Sequence, residues 1–342
     1  MRTNAPTTLS EVLGSRGPQG ARELIASLGV SQSTLSRGIH ALGQRVRRIG
    51  RGRATKYALA RAVSTFGSEW PAHRIEENGR ARAVGRLHAI APTGWWYETT
   101  QPAPALVPAG GDAGVFRDLP WFLDDLRPQG FMGRAFAGRY GRALGLPEDP
   151  RLWSADAVLV TLLLHGEDLP GDWVIGEDSI GKAQQLRLNP PEAIPARDRL
   201  VRYAALAEEA LSGAPVGSSA AGEQPKFTTR VRDRDGTARD VIVKVSPPLS
   251  SPMGLRWADL LVCESLAAAL LADAGIAASR TEWLLGDRRA FLEVTRFDRT
   301  VAGGRLGLIS LLALDSELYG LLDTWALAGV RLAKDGYLTE AH

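Results

Sequence analysis

The sequence predicts an α/β (α+β) protein, and three patterns predict it. Apolar residues recur at helical spacing through residues 9–42, and a basic stretch with hairpin character follows at 46–59. From residue 75 onward, short extended segments bounded by Gly and Pro alternate with helical patterns. With 342 residues, 44% of them hydrophobic and 23% charged, the chain is long enough for two or three cores.

The first helix carries Leu9, Val12 and Leu13, with Thr7 or Thr8 as its cap, and the Gly17-Pro18 region ends it. A second helix begins near Gly20 and places Ala21, Leu24, Ile25 and Leu28 on one face. Gly29 suits the left-handed turn that follows, Val30 fills the corner, and Ser31 caps a third helix. On that helix Leu35, Ile39 and Leu42 face inward, while Ser33, Ser36, Arg37 and His40 face outward. An outward face of hydrogen-bonding side chains is what a helix lying in a DNA major groove needs, with Arg37 able to bond guanine bidentately.

Residues 46–59 set Val46, Ile49, Tyr57 and Leu59 among Arg47, Arg48, Arg51, Arg53 and Lys56, around Gly50 and Gly52. This reads as a basic hairpin, a wing that lays cations along a phosphate backbone. Charge bookkeeping agrees. Residues 1–60 hold ten Lys or Arg against two Glu, a net +8, which leaves 31 basic and 36 acidic residues, a net −5, for the remainder. The polyanion-binding segment is therefore local, and double-stranded DNA is its expected partner. The stretch from Leu24 to Leu42 followed by this wing resembles bacterial winged helix-turn-helix regulators. A recognition helix reading one half-site favours a homodimer, although no heptad seam marks an interface.

Cys263 is the one cysteine, the first ten residues lack the apolar run of a secretory signal, and the longest apolar runs, 158–164 and 266–272, fall far short of a bilayer span. A cytoplasmic setting without membrane contact is expected. Residues 61–74 read as a linker, and 75–195 as a mixed α and β subdomain. Within it, residues 176–183 imitate a phosphate-binding P-loop through Gly176, Gly181 and Lys182. The final position is Ala183 where the magnesium-binding hydroxyl belongs, and Asn189-Pro190-Pro191 leaves no room for a useful helix afterwards.

A more informative segment is 217–227, which follows a helix bearing Leu200, Tyr203, Ala204, Leu206, Ala207 and Leu211. Its small residues Gly217, Ser218, Ser219, Ala220, Ala221 and Gly222 let backbone amides approach phosphate oxygens, and Lys226 adds charge. Past the turn at Asp235-Gly236, Lys244 lies mid-strand among apolar neighbours, where it can either point to water or reach nucleotide phosphates. A helix over 257–276 and an extended segment ending in Arg296-Phe297-Asp298-Arg299 complete the series.

This ordered series resembles the HipA-like serine/threonine protein kinases, in the branch that carries an N-terminal helix-turn-helix. The family's loop, S-x-A-G-x-Q-x-K, is matched by Ser219, Ala221, Gly222, Gln224 and Lys226, with Pro225 as a departure, and its strand lysine by Lys244. The resemblance implies that Ala221, Gly222, Glu223, Gln224, Pro225 and Lys226 cover the phosphates of ATP and that Lys244 bonds them. It further implies that the backbone of Thr295, Arg296 and Phe297 contacts adenine and that Ser219 is the phosphorylated loop serine. Family members carry Glu where this chain has Thr295. Either Glu264 or Asp259 could orient Lys244. The implied layout is a DNA-binding domain at 1–60, a linker at 61–74, the mixed subdomain at 75–195, an ATP-binding N-lobe at 196–299 and the start of a helical C-lobe at 300–342.

The family's catalytic segment, G-N-x-D-x-H-x-x-N, would supply a catalytic Asp and the ligands for Mg2+. Beyond Arg299 there is Asp315, Asp323 and Asp335 but no Asn, and residues 310–329 read as amphipathic helix. The expectation is a chain that stops short of its catalytic loop, with the Mg2+ ligands in the segment beyond. Two activities stay open from sequence: a kinase of the toxin–antitoxin type acting on a protein substrate, or a DNA-binding regulator whose kinase-like part binds nucleotide or a partner without catalysis.

Overall fold

The protein is described as a computed structural model covering residues 8–100, 114–213, 222–321 and 323–338. It divides into two compact units, one of Met1–Ala72, Ala83–Asp124 and Leu311–His342, the other of His73–Arg82 and Asp125–Ser310.

In the first unit, α1 (Leu9–Arg16) starts from a reciprocal cap: Thr8 Oγ1 accepts the Glu11 amide at 3.2 Å while the Glu11 carboxylate accepts the Thr8 amide at 2.6 Å. A short strand, β1 (Gln19–Gly20), leads into α2 (Ala21–Leu28), which ends on Gly29 at φ +64. That left-handed residue costs an L side chain energy, and its amide closes the helix onto the Ile25 carbonyl at 2.9 Å. Helix α3 (Gln32–Leu42) opens with the Ser31 hydroxyl accepting the Thr34 amide at 3.2 Å. Val12, Leu13, Leu24 and Leu35 are buried together, with Val30 and Ile39 packed against them.

Strands β2 (Val46–Ile49) and β3 (Lys56–Leu59) form the expected hairpin, with β1 on the far edge of β3. Both faces of this hairpin are covered. Val46, Tyr57 and Leu59 complete the helical core, whereas Ile49 and Ala58 are buried with Ile90 and Trp96.

Residues 61–74 are no loose linker. The Arg61 amide bonds the Ala89 carbonyl at 2.9 Å, and a strand, β4 (Glu69–Ile75), begins well inside the segment with Trp70 and Ala72 buried. Alternate apolar side chains and a paired backbone outweigh the breaking tendency of Gly67 and Pro71 here. Strand β5 (Ala81–Ile90) pairs antiparallel with β6 (Gly94–Thr99), which pairs antiparallel with β7 (Val115–Phe116).

The second unit adds α4 (Gly130–Phe136), α5 (Ala155–His165), β8 (Trp173–Ile175) and α6 (Glu177–Leu188). Residues Trp121–Leu126 form a 3-10 helix. Ser179 joins α6 to α5 by donating to the Leu162 carbonyl at 2.7 Å and accepting the Gly166 amide at 3.0 Å. A helix of useful length does form at the P-loop-like segment, contrary to expectation. It begins at Glu177, ahead of Gly181 and Lys182, so both residues lie inside a helix and no phosphate-cradling loop exists.

A five-stranded sheet follows, in the order β12-β13-β11-β10-β9. Strand β9 (Ile194–Pro195) runs parallel to β10 (Lys226–Arg232). Helix α7 (Arg199–Leu211) lies between them in sequence, and β11 (Ala238–Val245) returns antiparallel to β10. After the long α8 (Pro252–Asp273), strands β12 (Thr281–Leu285) and β13 (Ala290–Thr295) close the sheet. Period-two alternation then gives its faces opposite tasks. Phe227, Val231, Val241, Val243 and Val245 pack on Tyr203, Ala207 and Ala210 of α7. Lys226, Thr228, Arg230, Asp240, Ile242 and Lys244 point to the other face.

On the α7 side an ionic cluster is sealed inside. Glu293 is fully buried; it accepts hydrogen bonds from Tyr203 Oη and Arg239 Nη2, and lies 3.4 Å from Arg199 Nη1. Arg239 and Arg199 are also held by Asp233. Burial, then the Glu293 charge, drives the Tyr203 hydroxyl well above its ordinary pKa, so it stays a donor.

The stretch 310–329, expected as one helix, is broken. Helices α9 (Leu311–Leu318) and α10 (Trp325–Lys334) flank Gly320, whose φ of +66 stops α9 as its amide bonds the Asp315 carbonyl. Asp315 and Asp323 each meet Arg331 at 2.7 Å.

The buried cluster yields a stability test. Glu293→Ala takes one carboxylate from Arg199 and Arg239, which keep Asp233, and should cost about 3–5 kcal/mol, whereas Tyr203→Phe removes one hydrogen bond and should cost about 1–2 kcal/mol. Urea denaturation of the two variants checks the order; equal losses would show that the carboxylate does not hold the cluster.

Candidate functional site

The polar face of the β10–β11 pair collects the cations that the sequence singled out. The register sets Lys226 opposite Lys244, Thr228 opposite Ile242 and Arg230 opposite Asp240. Lys244 forms an ion pair with Glu264 of α8, at very short range. Of the two acidic residues open from sequence, Glu264 is therefore the partner. Helix α8 is held in place by Ala258 and Leu261, which pack on Ala290 and Leu292.

Lys226 is buried, with Nζ donating to the Gly222 carbonyl at 3.0 Å. Burial, then the like charge of Lys244, pushes its pKa down to about 8. Glu223 and Glu264 pull the other way without prevailing.

The described part of the loop, residues 222–225, is braced at three points. Gly222 has φ +102, and its carbonyl also accepts the Phe131 amide at 3.0 Å. Gly130 lies so close that a Cβ there would come within 2.5 Å of the Gly222 oxygen. The Pro225 carbonyl accepts the Val245 amide at 3.0 Å, so the proline departure removes no bond that the loop uses. Gln224 Nε2 is buried with no hydrogen-bond partner among the described residues, and Glu223 pairs with Arg134 at 2.6 Å near the surface. Ser219 and Ala221 lie outside the described residues.

At the end of β13 a cavity of about 270 Å3 is bounded by Ile242, Val294, Thr295, Phe297 and Leu308. Two backbone amides assigned to ligand contact are already committed. Thr295 N–H donates to the Arg280 carbonyl and Arg296 N–H to the Asp240 carbonyl, both at 2.9 Å. The Thr295 hydroxyl accepts from Arg239 at 2.8 Å. Phe297 is 57% exposed, and its amide has no hydrogen-bond partner among the described residues.

The Arg296 side chain is not a ligand group either. It is buried and grips Asp298 at 2.9 Å and Asp168 at 3.3 Å. Arg299 grips the same two carboxylates, each at 2.7 Å. Burial would raise the Asp168 carboxyl, yet Arg296, Arg299 and Arg305 outweigh it and hold it at about 2. Nothing in the sequence pattern marked Asp168 as a partner, because 128 residues separate it from Arg296.

In the first unit, Ser33, Ser36, Arg37 and His40 are all exposed on α3, and Arg48, Arg51 and Arg53 are exposed on the hairpin. Arg47 departs from the expected set. Its guanidinium pairs with Glu69 at 2.8 Å and is mostly covered, because Arg47 shares the hairpin face of Ile49 and Ala58. Lys56 is half-buried.

Residues 66–184 match the YjjJ-like toxin middle domain, and residues 218–319 match the HipA-like C-terminal domain. The chain is 38% identical over 326 residues to Toxin YjjJ of Escherichia coli (strain K12), an alignment covering 95% of this chain and 70% of that protein. This chain belongs to the YjjJ-like branch of the HipA-like toxins. The YjjJ-like middle domain thus contains β4 to β8 and α4 and α5, and the HipA-like domain contains the lysine face, Glu264 and the segment at Thr295–Arg299. Among the described residues no helix is long and apolar enough to cross a membrane, and no group of three or more His, Cys, Asp or Glu is arranged to hold a metal ion.

Proposed function

We propose that this YjjJ-like protein binds ATP on the lysine face of its HipA-like domain and double-stranded DNA through its N-terminal helices and hairpin. It does so as a toxin-type serine/threonine protein kinase with a fused winged helix-turn-helix. The observation that carries the nucleotide reading is the Lys244–Glu264 pair standing opposite buried Lys226. Two ammonium groups on neighbouring strands, with Glu264 paired to Lys244 and the Gly222 carbonyl accepting from Lys226, present a cationic surface that attracts a polyphosphate. Lys244 would bond the α and β phosphates, Gln224 Nε2 would find in a phosphate oxygen the partner it lacks, and the Phe297 amide would meet the adenine edge. Bound Mg2+ would shield phosphate charge, and no described residue cluster offers it ligands.

DNA binding is supported by the outward face of α3 and by the three exposed hairpin arginines. With Arg47 committed to Glu69, the phosphate-holding set narrows to Arg48, Arg51 and Arg53. A paired homodimer would read two half-sites. The second reading is a DNA-binding regulator that holds nucleotide without transferring phosphate. Phosphoryl transfer rests on positioning and metal-based charge stabilisation, so the readings part at that step. Incubation with radiolabelled ATP and magnesium followed by peptide mapping separates them. Label on Ser219 establishes the kinase reading, and its absence beside intact ATP binding establishes the regulator.

Two outcomes are expected. Calorimetry should find ATP binding that Lys244→Met abolishes; equal affinity in both forms would remove Lys244 from the site. In salt-titrated DNA binding, Arg37→Ala should cost about 1–3 kcal/mol and relax sequence preference. Replacing Arg51 and Arg53 should weaken all duplexes alike and flatten the salt slope by about 0.9 per lost phosphate contact. Arg47→Ala should leave that slope unchanged, and a slope reduced as in the Arg51 variant would contradict the pairing with Glu69.

A further inference from the structure

A second cavity, of about 320 Å3, opens at the other end of the polar sheet face. Five arginines line it, Arg187, Arg230, Arg296, Arg299 and Arg305, against two aspartates, Asp168 and Asp240. The count matters because the pairings within it are unequal. Arg296 and Arg299 spend their donors on Asp168 and Asp298, which closes that part of the account. Arg187, Arg230 and Arg305 form no ion pair within 4 Å among the described residues; Asp240 lies in the same lining, and Asp168, held by Arg296 and Arg299, acts on Arg305 from farther off.

Arg305 is the most telling of the three. It is 7% exposed, its Nη2 donates to the Glu167 carbonyl, and its Nη1 is buried with no hydrogen-bond partner among the described residues. A buried guanidinium nitrogen without an acceptor costs free energy, and an anion is what offsets that cost. Burial, then the like charge of Arg299, pushes Arg305 down to about 9, so it remains cationic at neutral pH. Arg230 stands across the strand pair from Asp240, with Thr228 of the same strand face beside it in the cavity lining.

Arg187 reaches the rim from α6 over two glycines. A Cβ at Gly79 would come within 2.7 Å of Arg187 Cδ, and one at Gly303 within 3.0 Å of its Cγ, so the bare backbone at both positions makes room for the arginine stem. Three cations from α6, β10 and the segment after Thr300 therefore converge on one space, together with Thr228. We propose that this cavity is an anion site separate from the nucleotide face, taking a phosphate group between Arg187, Arg230 and Arg305. Guanidinium groups match phosphate in shape and charge.

The same chemistry is presented by free phosphate and by the phosphate ester of an organic ligand. The test uses the full chain and calorimetric titration with inorganic phosphate, then with O-phosphoserine. Phosphate should bind wild type and Lys244→Met equally, since Lys244 belongs to the other site. Arg187→Gln combined with Arg230→Gln should weaken binding by tenfold or more, about 1.4 kcal/mol at 25 °C. These two positions are less buried than Arg305, so the double variant tests the site even if Arg305→Gln fails to fold. Tighter binding of O-phosphoserine assigns the site to a phosphate ester, and equal or weaker binding assigns it to free phosphate. Loss of phosphate binding in Lys244→Met, or unchanged affinity in the double arginine variant, overturns the proposal.

Discussion

Two lysines set opposite each other on neighbouring strands are the constraint around which the HipA-like domain is arranged. Like charges in directly facing positions repel, and burial of Lys226 removes the water that would screen them. The chain answers with Glu264, carried on a 22-residue helix, and with the Gly222 carbonyl, which accepts from Lys226. Burial first, and then the like charge of Lys244, leaves Lys226 at about 8.

The rest of the sheet is built to keep that face rigid. On the opposite side Glu293 takes Tyr203, Arg199 and Arg239 into one buried cluster, and five aliphatic or aromatic side chains from β10 and β11 seal the surface around it. At the end of β13 the doubled clasp of Arg296 and Arg299 on Asp168 and Asp298 fixes the backbone that borders the apolar cavity. A buried pair broken on one side is costly, so each clasp defines a single arrangement of the chain. The first unit uses a simpler device, a hairpin covered on both faces, which leaves only Arg48, Arg51 and Arg53 of its basic set exposed.

Much of this was legible in the sequence where local rules decide. The cap at Thr8, the turn at Gly29, the hairpin and the strand position of Lys244 follow from neighbours within a few residues. What escaped depends on distant partners. Arg47 reads as a phosphate ligand until Glu69 is seen beside it, and the Arg296 backbone amide reads as open to adenine until it is seen donating to the Asp240 carbonyl. On α7 the apolar pattern named Leu200 and Leu211, both 40% exposed, while the buried stripe runs through Arg199, Tyr203, Ala207 and Ala210. A buried arginine is invisible to hydrophobic periodicity, because its cost is met by Glu293 from another strand. The family resemblance supplied the order of the segments; the choice of Glu264 over Asp259 needed the helix phase of α8 against β11.

The proposal of nucleotide binding turns on the facing cations Lys226 and Lys244, beside which a nucleotide's phosphates would lie. The most direct measurement is an NMR titration of the lysine side-chain signals, following the Lys226 ammonium with and without saturating ATP. An anion placed beside it favours the charged form, so the Lys226 pKa should rise from about 8 toward the ordinary lysine value when ATP binds. A Lys226 pKa that stays in place while ATP binds elsewhere on the protein would contradict the account.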